Sequence, residues 1–212
     1  MSVTWILILS TVLISYSALK QASVQVKFWF NAYSVWHFKE WYRMVTHGFL
    51  HADYLHLAFN MFSLYMFGPR VEYVFKGLFG NLKGVILYLI LYFGGIVLSS
   101  VYSLFKHRGN PHYNALGASG AVCSVIYSSI LFFPLETLYV WGIPVKAWLY
   151  ALLFLGGSWY MSKKQYDTIG HDAHFFGALW GLAFPCVVYP EILSYVHSLF
   201  LMLNPFYNYY EF

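Results

Sequence analysis

Ser119 stands between glycines at the head of an apolar run, Asn114 to Leu131, which reads NALGASGAVCSVIYSSIL. The frame Gly117-Ala118-Ser119-Gly120 leaves the hydroxyl uncrowded and lets another backbone come close. A buried serine has almost no alkoxide at neutral pH, so as a nucleophile it needs a base. Histidine suits that role because its pKa lies near the working pH. His174 stands at the start of a later apolar segment. The chemistry open to such a pair is acyl transfer through a tetrahedral oxyanion, which needs donors already in place. The backbone N–H groups around Gly117 and Ser119 are candidates, since the first turn of a helix leaves its N–H groups unpaired. His56 and Asn60 are four apart and share a helix face, so an imidazole and an amide N–H can join them.

A third member would be a carboxylate that orients the base. Asp172 is two residues from His174, which turns it about 200° around a helix and away from that ring. Asp167 lies in a loop and stays open. A Ser119–His174 dyad is therefore the expectation.

These side chains need elements to hold them, and the composition says of what kind. Of 212 residues, 60% are hydrophobic and only 9% charged, where a soluble domain carries about a quarter. Aromatics reach 23%, a density that suits membrane interfaces. The net charge of +4 comes without a basic run, which gives nucleic-acid binding no support. Cys123 and Cys186 fall in apolar segments, so a disulfide framework is not expected. The chain reads as one polytopic membrane domain, residues 1–212.

Six spans are expected, at about 3–19, 54–68, 84–105, 118–133, 145–159 and 171–189. Between the first two, residues 20–53 are too aromatic for a free linker and should fold on themselves at the interface. Within them Arg43 is expected to brace the loop through carbonyls or lipid phosphate. Pro69 and Arg70 mark the far end of span two, and residues 134–144 form a loop closed by Pro134 and Pro144. The tail, 190–212, is too short in its apolar part to span and should lie in the interface. With six spans, helices two, four and six begin on one side of the membrane. His56 and Asn60, Ser119, and His171 and His174 all fall in the first turns of those helices, at one depth.

Small residues can bring these helices together. Gly177 and Gly181 form a GxxxG on the stripe of His174, and Gly120, Ser124 and Ser128 form a matching stripe on the helix of Ser119. Alone, such stripes mean helix packing, with Ser119 a small interface residue. Polar groups inside membrane spans are costly and point to function. His47 and His51 precede a span with no HExxH and no cysteine cluster, so they read as packing in the first loop. No metal or other cofactor is expected.

At these residues the chain resembles the rhomboid family of intramembrane serine proteases. GASG at 117–120 is similar to the family's GxSG, and DAHFFGALWG at 172–181 to its AHxxGxxxG. HLAFN at 56–60 resembles its HxxxN, WYR at 41–43 its first-loop Trp-Arg signature, and GPRVEYVFKG at 68–77 its G-P-x-x-E segment. The resemblance implies an all-α, six-helix bundle with a long interfacial first loop. It implies Ser119 as nucleophile, His174 as base, and oxyanion donors at His56 and Asn60. Transmembrane protein substrates within the lipid bilayer are the implied partners, and a multi-pass place in a bacterial inner membrane is expected. Cys123 stands where many relatives carry an aromatic that stacks on the histidine. The glycine-bearing end of span five, Leu155-Gly156-Gly157-Ser158, with loop 161–170, is the candidate gate. Two rivals remain: a rhomboid-like fold that binds membrane segments without cutting them, and a transporter or haem or metal carrier using His171 and His174.

Overall fold

The computed structural model describes residues 2–140, 142–164 and 170–202. Asp167 of the sequence reading lies outside the described residues. Among the described residues ten α-helices run in the order α1 Val3–Leu19, α2 Ala22–Phe28, α3 Ala32–Phe38, α4 Arg43–Thr46, α5 Tyr54–Phe79, α6 Asn81–His107, α7 Ser119–Phe132, α8 Ala147–Lys164, α9 His171–Val188 and α10 Glu191–Met202. Two antiparallel ribbons accompany them among the described residues. One pairs β1 Phe30–Asn31 with β2 Asn114–Ala115; the other pairs β3 Thr137–Val140 with β4 Ile143–Lys146.

By length and composition, one helix among the described residues, α6, passes as a complete membrane span. The helices α1 and α7 are apolar but shorter, and α9 passes only together with α10, from which it bends by 108°. At 1.5 Å per residue the 14 residues of α7 cover about 21 Å, less than a hydrocarbon core of about 30 Å. On its own, α7 is too short to cross such a core from face to face.

Helix α7 is the centre of the packing, with Ala121, Val125 and Ser124 fully buried. Lipid gives helices no hydrophobic reason to associate, so close backbone contact and buried hydrogen bonds must do it. Gly95 of α6 faces α7 so closely that a Cβ there would lie 2.8 Å from Ala121 Cα. Ser124 Oγ donates to Leu91 O of α6 at 3.2 Å, and Ser128 Oγ donates to Gly181 O of α9 at 2.8 Å.

Helix α1 is held at both ends by α5 and the segment before it. Buried Glu72 accepts the N–H groups of Val3 and Thr4, each at 3.0 Å, and the Thr4 hydroxyl at 2.9 Å. These are first-turn N–H groups that the helix cannot satisfy itself. A carboxylate there also complements the positive end of the helix dipole. At the other end Ser15 Oγ meets His51 Nδ1 at 3.0 Å. The first loop folds on itself as its aromatic content suggested. Arg43 ties it together by donating to Val26 O at 2.9 Å and Trp29 O at 3.0 Å, and pairs with Glu40. Carbonyls, with the carboxylate of Glu40, are thus among its partners.

Several boundaries differ from the sequence reading. Span two does not end near Gly68: α5 continues through Pro69 to Phe79. A proline removes one helical hydrogen bond, but Val71, Glu72 and Phe75 beyond it are buried, and Glu72 has α1 to hold. Residues 134–144 are not an irregular loop. Positive φ at Gly142 closes a hairpin whose second strand takes Val145 and Lys146, so span five begins at Ala147. Arg70 anchors that corner by pairing with Glu136 and stacking 3.6 Å from the centre of the Phe133 ring. The turn at 106–116 contains β2, which Asn31 fastens to the first loop through its amide bonds to Pro111 O and Tyr113 O.

Replacing Glu72 by alanine leaves the half-buried Val3 N–H and the buried Thr4 N–H without their acceptor, a loss of about 2 kcal/mol. For a chain of this size that lowers the melting temperature in detergent by roughly 4–8 °C. The same variant should expose α1 to limited proteolysis; an unchanged melting curve would mean that the carboxylate does not hold α1.

Candidate active site

Ser119 is the first residue of α7, and its neighbours Gly117, Ala118 and Gly120 are all buried while Ser119 itself is only half-buried. The hydroxyl is therefore the accessible point of this turn. Gly117 has φ +134, which L side chains rarely adopt, and a Cβ there would lie 2.8 Å from His56 Cε1. Glycine is needed twice over: for the backbone angle and for the imidazole that packs against it.

The two backbone N–H groups just ahead of Ser119 have partners in the first loop. Gly117 N–H donates to His47 O at 3.0 Å, and Ala118 N–H donates to His51 Nε2 at 3.4 Å. A backbone N–H can only donate, so Nε2 of His51 is unprotonated. Its Nδ1 then carries the proton and donates to Ser15 Oγ. His51 also meets the His56 ring edge to face, 4.9 Å between centroids. His47 lies buried with its Nε2 2.9 Å from Ser100 Oγ and its ring edge-on to Phe30.

The sequence reading took His47 and His51 as loop packing. They do pack, but they also hold the segment that ends in Ser119. The sequence signal is three histidines, His47, His51 and His56, closing on the start of a span, and read alone it offers a metal site or loop packing. Among the described residues no group of three or more His, Cys, Asp or Glu side chains could hold a metal ion.

His56 and Asn60, two of the donors proposed for an oxyanion, are held in the first turns of α5. Asp53 caps α5 by accepting the His56 N–H at 2.7 Å, which fixes the first turn. Asn60 is buried and donates one amide N–H to His56 O at 2.9 Å. Its amide has a second N–H to offer. His56 faces Gly117 across the gap described above.

His174 lies in the first turn of α9, with its own N–H bonded to Gly170 O at 3.1 Å. Its height relative to Ser119 follows from the glycine contacts. A Cβ on Gly177 would lie 2.3 Å from Gly120 O, and one on Gly181 2.3 Å from Ser124 O. The two contacts share one register, so α7 and α9 run parallel with their backbones touching. One turn further up that register, His174 falls level with the 117–119 segment. The stripe of Gly120, Ser124 and Ser128 thus meets the stripe of Gly177 and Gly181. A third helix, α6, also joins: a Cβ on Gly120 would meet Ser99 Oγ at 2.2 Å.

Asp172 is engaged elsewhere, 3.2 Å from Lys106 Nζ, in keeping with its place on another face of α9. The ring beside His174 comes from α8: Phe154, 5.9 Å away between centroids and tilted by 31°. Cys123, one turn after Ser119, is buried with Tyr127 and Ala178, and Phe154 packs against that group. The aromatic missing at 123 is thus supplied from another helix, a substitution that single-chain spacing could not show. His171 lies 6.0 Å from His174 between ring centroids.

Burial holds the ring of His47 at a pKa of about 4 and that of His51 at about 3, the latter aided by neighbouring His56. In the unfolded chain both titrate near 6.5. The unfolded state therefore takes up protons that the folded state refuses. The stability that these rings contribute is complete above about pH 6.5 and falls as the pH drops toward 4 and 3. The melting temperature should be lower at pH 5 than at pH 7.5, and His51→Asn should narrow that difference; a difference of unchanged size would contradict the assignment.

Residues 39–191 match the Rhomboid domain family. In Arabidopsis thaliana, RHOMBOID-like protein 12, mitochondrial, is 30% identical over 64% of this chain and 43% of its own length. Rhomboid-like protein 11, chloroplastic, from the same plant is 32% identical over 72% of this chain and 54% of its own length. The Putative rhomboid protease YdcA of Bacillus subtilis (strain 168) is 27% identical over 70% of this chain and 68% of its own length. The chain spans about half the length of the two plant relatives. With mitochondrial and chloroplastic proteins among the relatives, the expected bacterial inner membrane is not supported.

Proposed function

The chain belongs to the rhomboid family of integral membrane proteins, and from that premise we propose that it is a serine endopeptidase that cleaves transmembrane proteins within the bilayer. The observation that supports this reading is the parallel, backbone-tight pairing of α7 with α9, whose register runs from His174 toward the 117–119 segment. In this reading the whole chain acts as one domain, with α1, α5, α6, α7, α8 and α9 as its spans.

The reaction begins when Ser119 Oγ attacks the substrate carbonyl carbon and gives its proton to His174. The carbonyl oxygen becomes an oxyanion. The Ser119 N–H, the remaining amide N–H of Asn60 and an imidazole N–H of His56 can donate to it, with Gly117 leaving room for the approach. Collapse breaks the C–N bond, and His174 returns the proton to the departing amine. Water, deprotonated by His174, then opens the acyl-enzyme and restores Ser119. With Asp172 bound to Lys106, the pair works as a dyad whose base is steadied by Phe154.

A substrate helix must unwind before this can happen, because helical hydrogen bonds and side chains cover its peptide carbonyls. Helix α8 is the element best suited to let it in. Only Ala147 and Ser158 of α8 are buried, and a Cβ on Gly156 or Gly157 would meet nothing within 4 Å. Loose packing of this kind is what a moving gate requires.

A fluorophosphonate probe tests the dyad on detergent-solubilised protein. Wild type should label, and Ser119→Ala and His174→Ala should not. Asn60→Ala should lower turnover of a transmembrane substrate about 10²–10³-fold. No labelling of wild type, or labelling indifferent to both changes, would favour a rhomboid-like binding protein that recognises membrane segments without cutting them. For the gate, a cross-link between α5 and α8 should abolish cleavage of transmembrane substrates, and undiminished turnover would rule it out.

A further inference from the structure

We infer that the groove between α6 and α9 seats one acyl chain of an anionic phospholipid, with its phosphate against Lys106 and Arg108. The groove has a volume of about 480 Å³ and is lined by apolar side chains that include Leu98, Tyr102 and Phe105 of α6 and Phe176, Trp180 and Ala183 of α9. It lies on the α6–α9 face, away from the loosely packed α8.

The lining runs from Leu98 to Phe105 and from Phe176 to Ala183, two turns on each helix, or about 10 Å. It is apolar along that whole length, which suits a hydrocarbon chain.

Charge at one end names the head group. Tyr102 and Phe176 stack across the groove, 5.1 Å between centroids. One turn above them Lys106 meets Asp172 at 3.2 Å and lies 5.2 Å from the Tyr102 ring. The ammonium has three donors, and Asp172 uses one. Arg108 is exposed over the Trp36 ring at 5.0 Å, and Trp36 packs edge-on to Phe105 of the groove. Two cations against one carboxylate leave this end positive, at the same side of the membrane as the start of α9. Cations flanked by aromatic rings at an apolar mouth suit a phosphate at head-group depth. The other end of the groove, toward Leu98 and Ala183, carries no charged lining residue.

The reading is independent of catalysis, and Trp180 reports it directly. The protein is placed in phosphatidylcholine vesicles containing a fraction of brominated phosphatidylglycerol or of brominated phosphatidylcholine. The signal of Trp180 is the fluorescence difference between wild type and Trp180→Phe. It should be quenched at least about threefold more strongly per mole of the anionic lipid, and 0.5 M salt should reduce that preference. The Lys106→Gln/Arg108→Gln protein should treat both lipids alike. Arg108→Gln, which leaves the Lys106–Asp172 pair intact, should lose part of the preference. Equal quenching by both lipids in wild type would mean ordinary boundary lipid and overturn the proposal. So would the absence of quenching by either, which would mean that protein fills the groove. A preference that survives both substitutions would overturn it as well.

Discussion

Backbone that leaves the helix inside a membrane must find partners within the protein, because lipid offers none. That constraint falls here on Gly117 and Ala118, the residues that deliver Ser119 to the head of α7. Their N–H groups go to the carbonyl of His47 and the ring of His51. Those two acceptors belong to the folded first loop, which Arg43 and Asn31 hold in shape. His51 in turn leans on Ser15 of α1, and α1 hangs from Glu72 of α5. A connected set of polar contacts thus runs from one end of α5, through α1, to the turn that carries the candidate nucleophile. The family relationship explains why such a turn should exist; the contacts explain how lipid-immersed backbone can sustain it.

Much of this was legible in the sequence, and what was not has physical causes. Glycine and serine at intervals of three and four mark helix faces whatever lies opposite, so the pairing of 120, 124 and 128 with 177 and 181 could be read directly. The participation of Gly95 and Ser99 could not, since nothing in α6 sets them apart from its other small residues. The passage of α5 through Pro69 was hidden because a proline's local cost was outweighed by a carboxylate serving a helix some seventy residues away. The hairpin at 137–146 rests on backbone pairing across Gly142, which leaves little trace in a run of mixed aromatic and apolar residues. The role of His51 was obscured for a different reason: its partners, Ser15 and Ala118, come from distant parts of the chain.

The packing is uneven across the molecule. Helix α7 is enclosed by α5, α6 and α9, and its small residues bring α6 and α9 to backbone contact. Helix α8 touches the bundle mainly through Phe154 and its surroundings, and its glycines face open space. Phe154 is the exception that matters, because it reaches both Tyr127 of α7 and His174 of α9. A displacement of α8 would therefore alter the environment of that imidazole and of buried Tyr127, whose hydroxyl donates to Ala151 O of α8.

Where α7 meets α9 the spacer is the main chain itself: carbonyl oxygens of Gly120 and Ser124 occupy the room that side chains would take on Gly177 and Gly181. Rotamer changes cannot widen or narrow the seam at those two contacts, because backbone meets backbone there. The separation of these two helices is consequently a fixed dimension of the protein, insensitive to thermal side-chain motion. It is also intolerant of even one added methyl group. Any adjustment that accommodates different guests has to come from elements packed through long side chains instead.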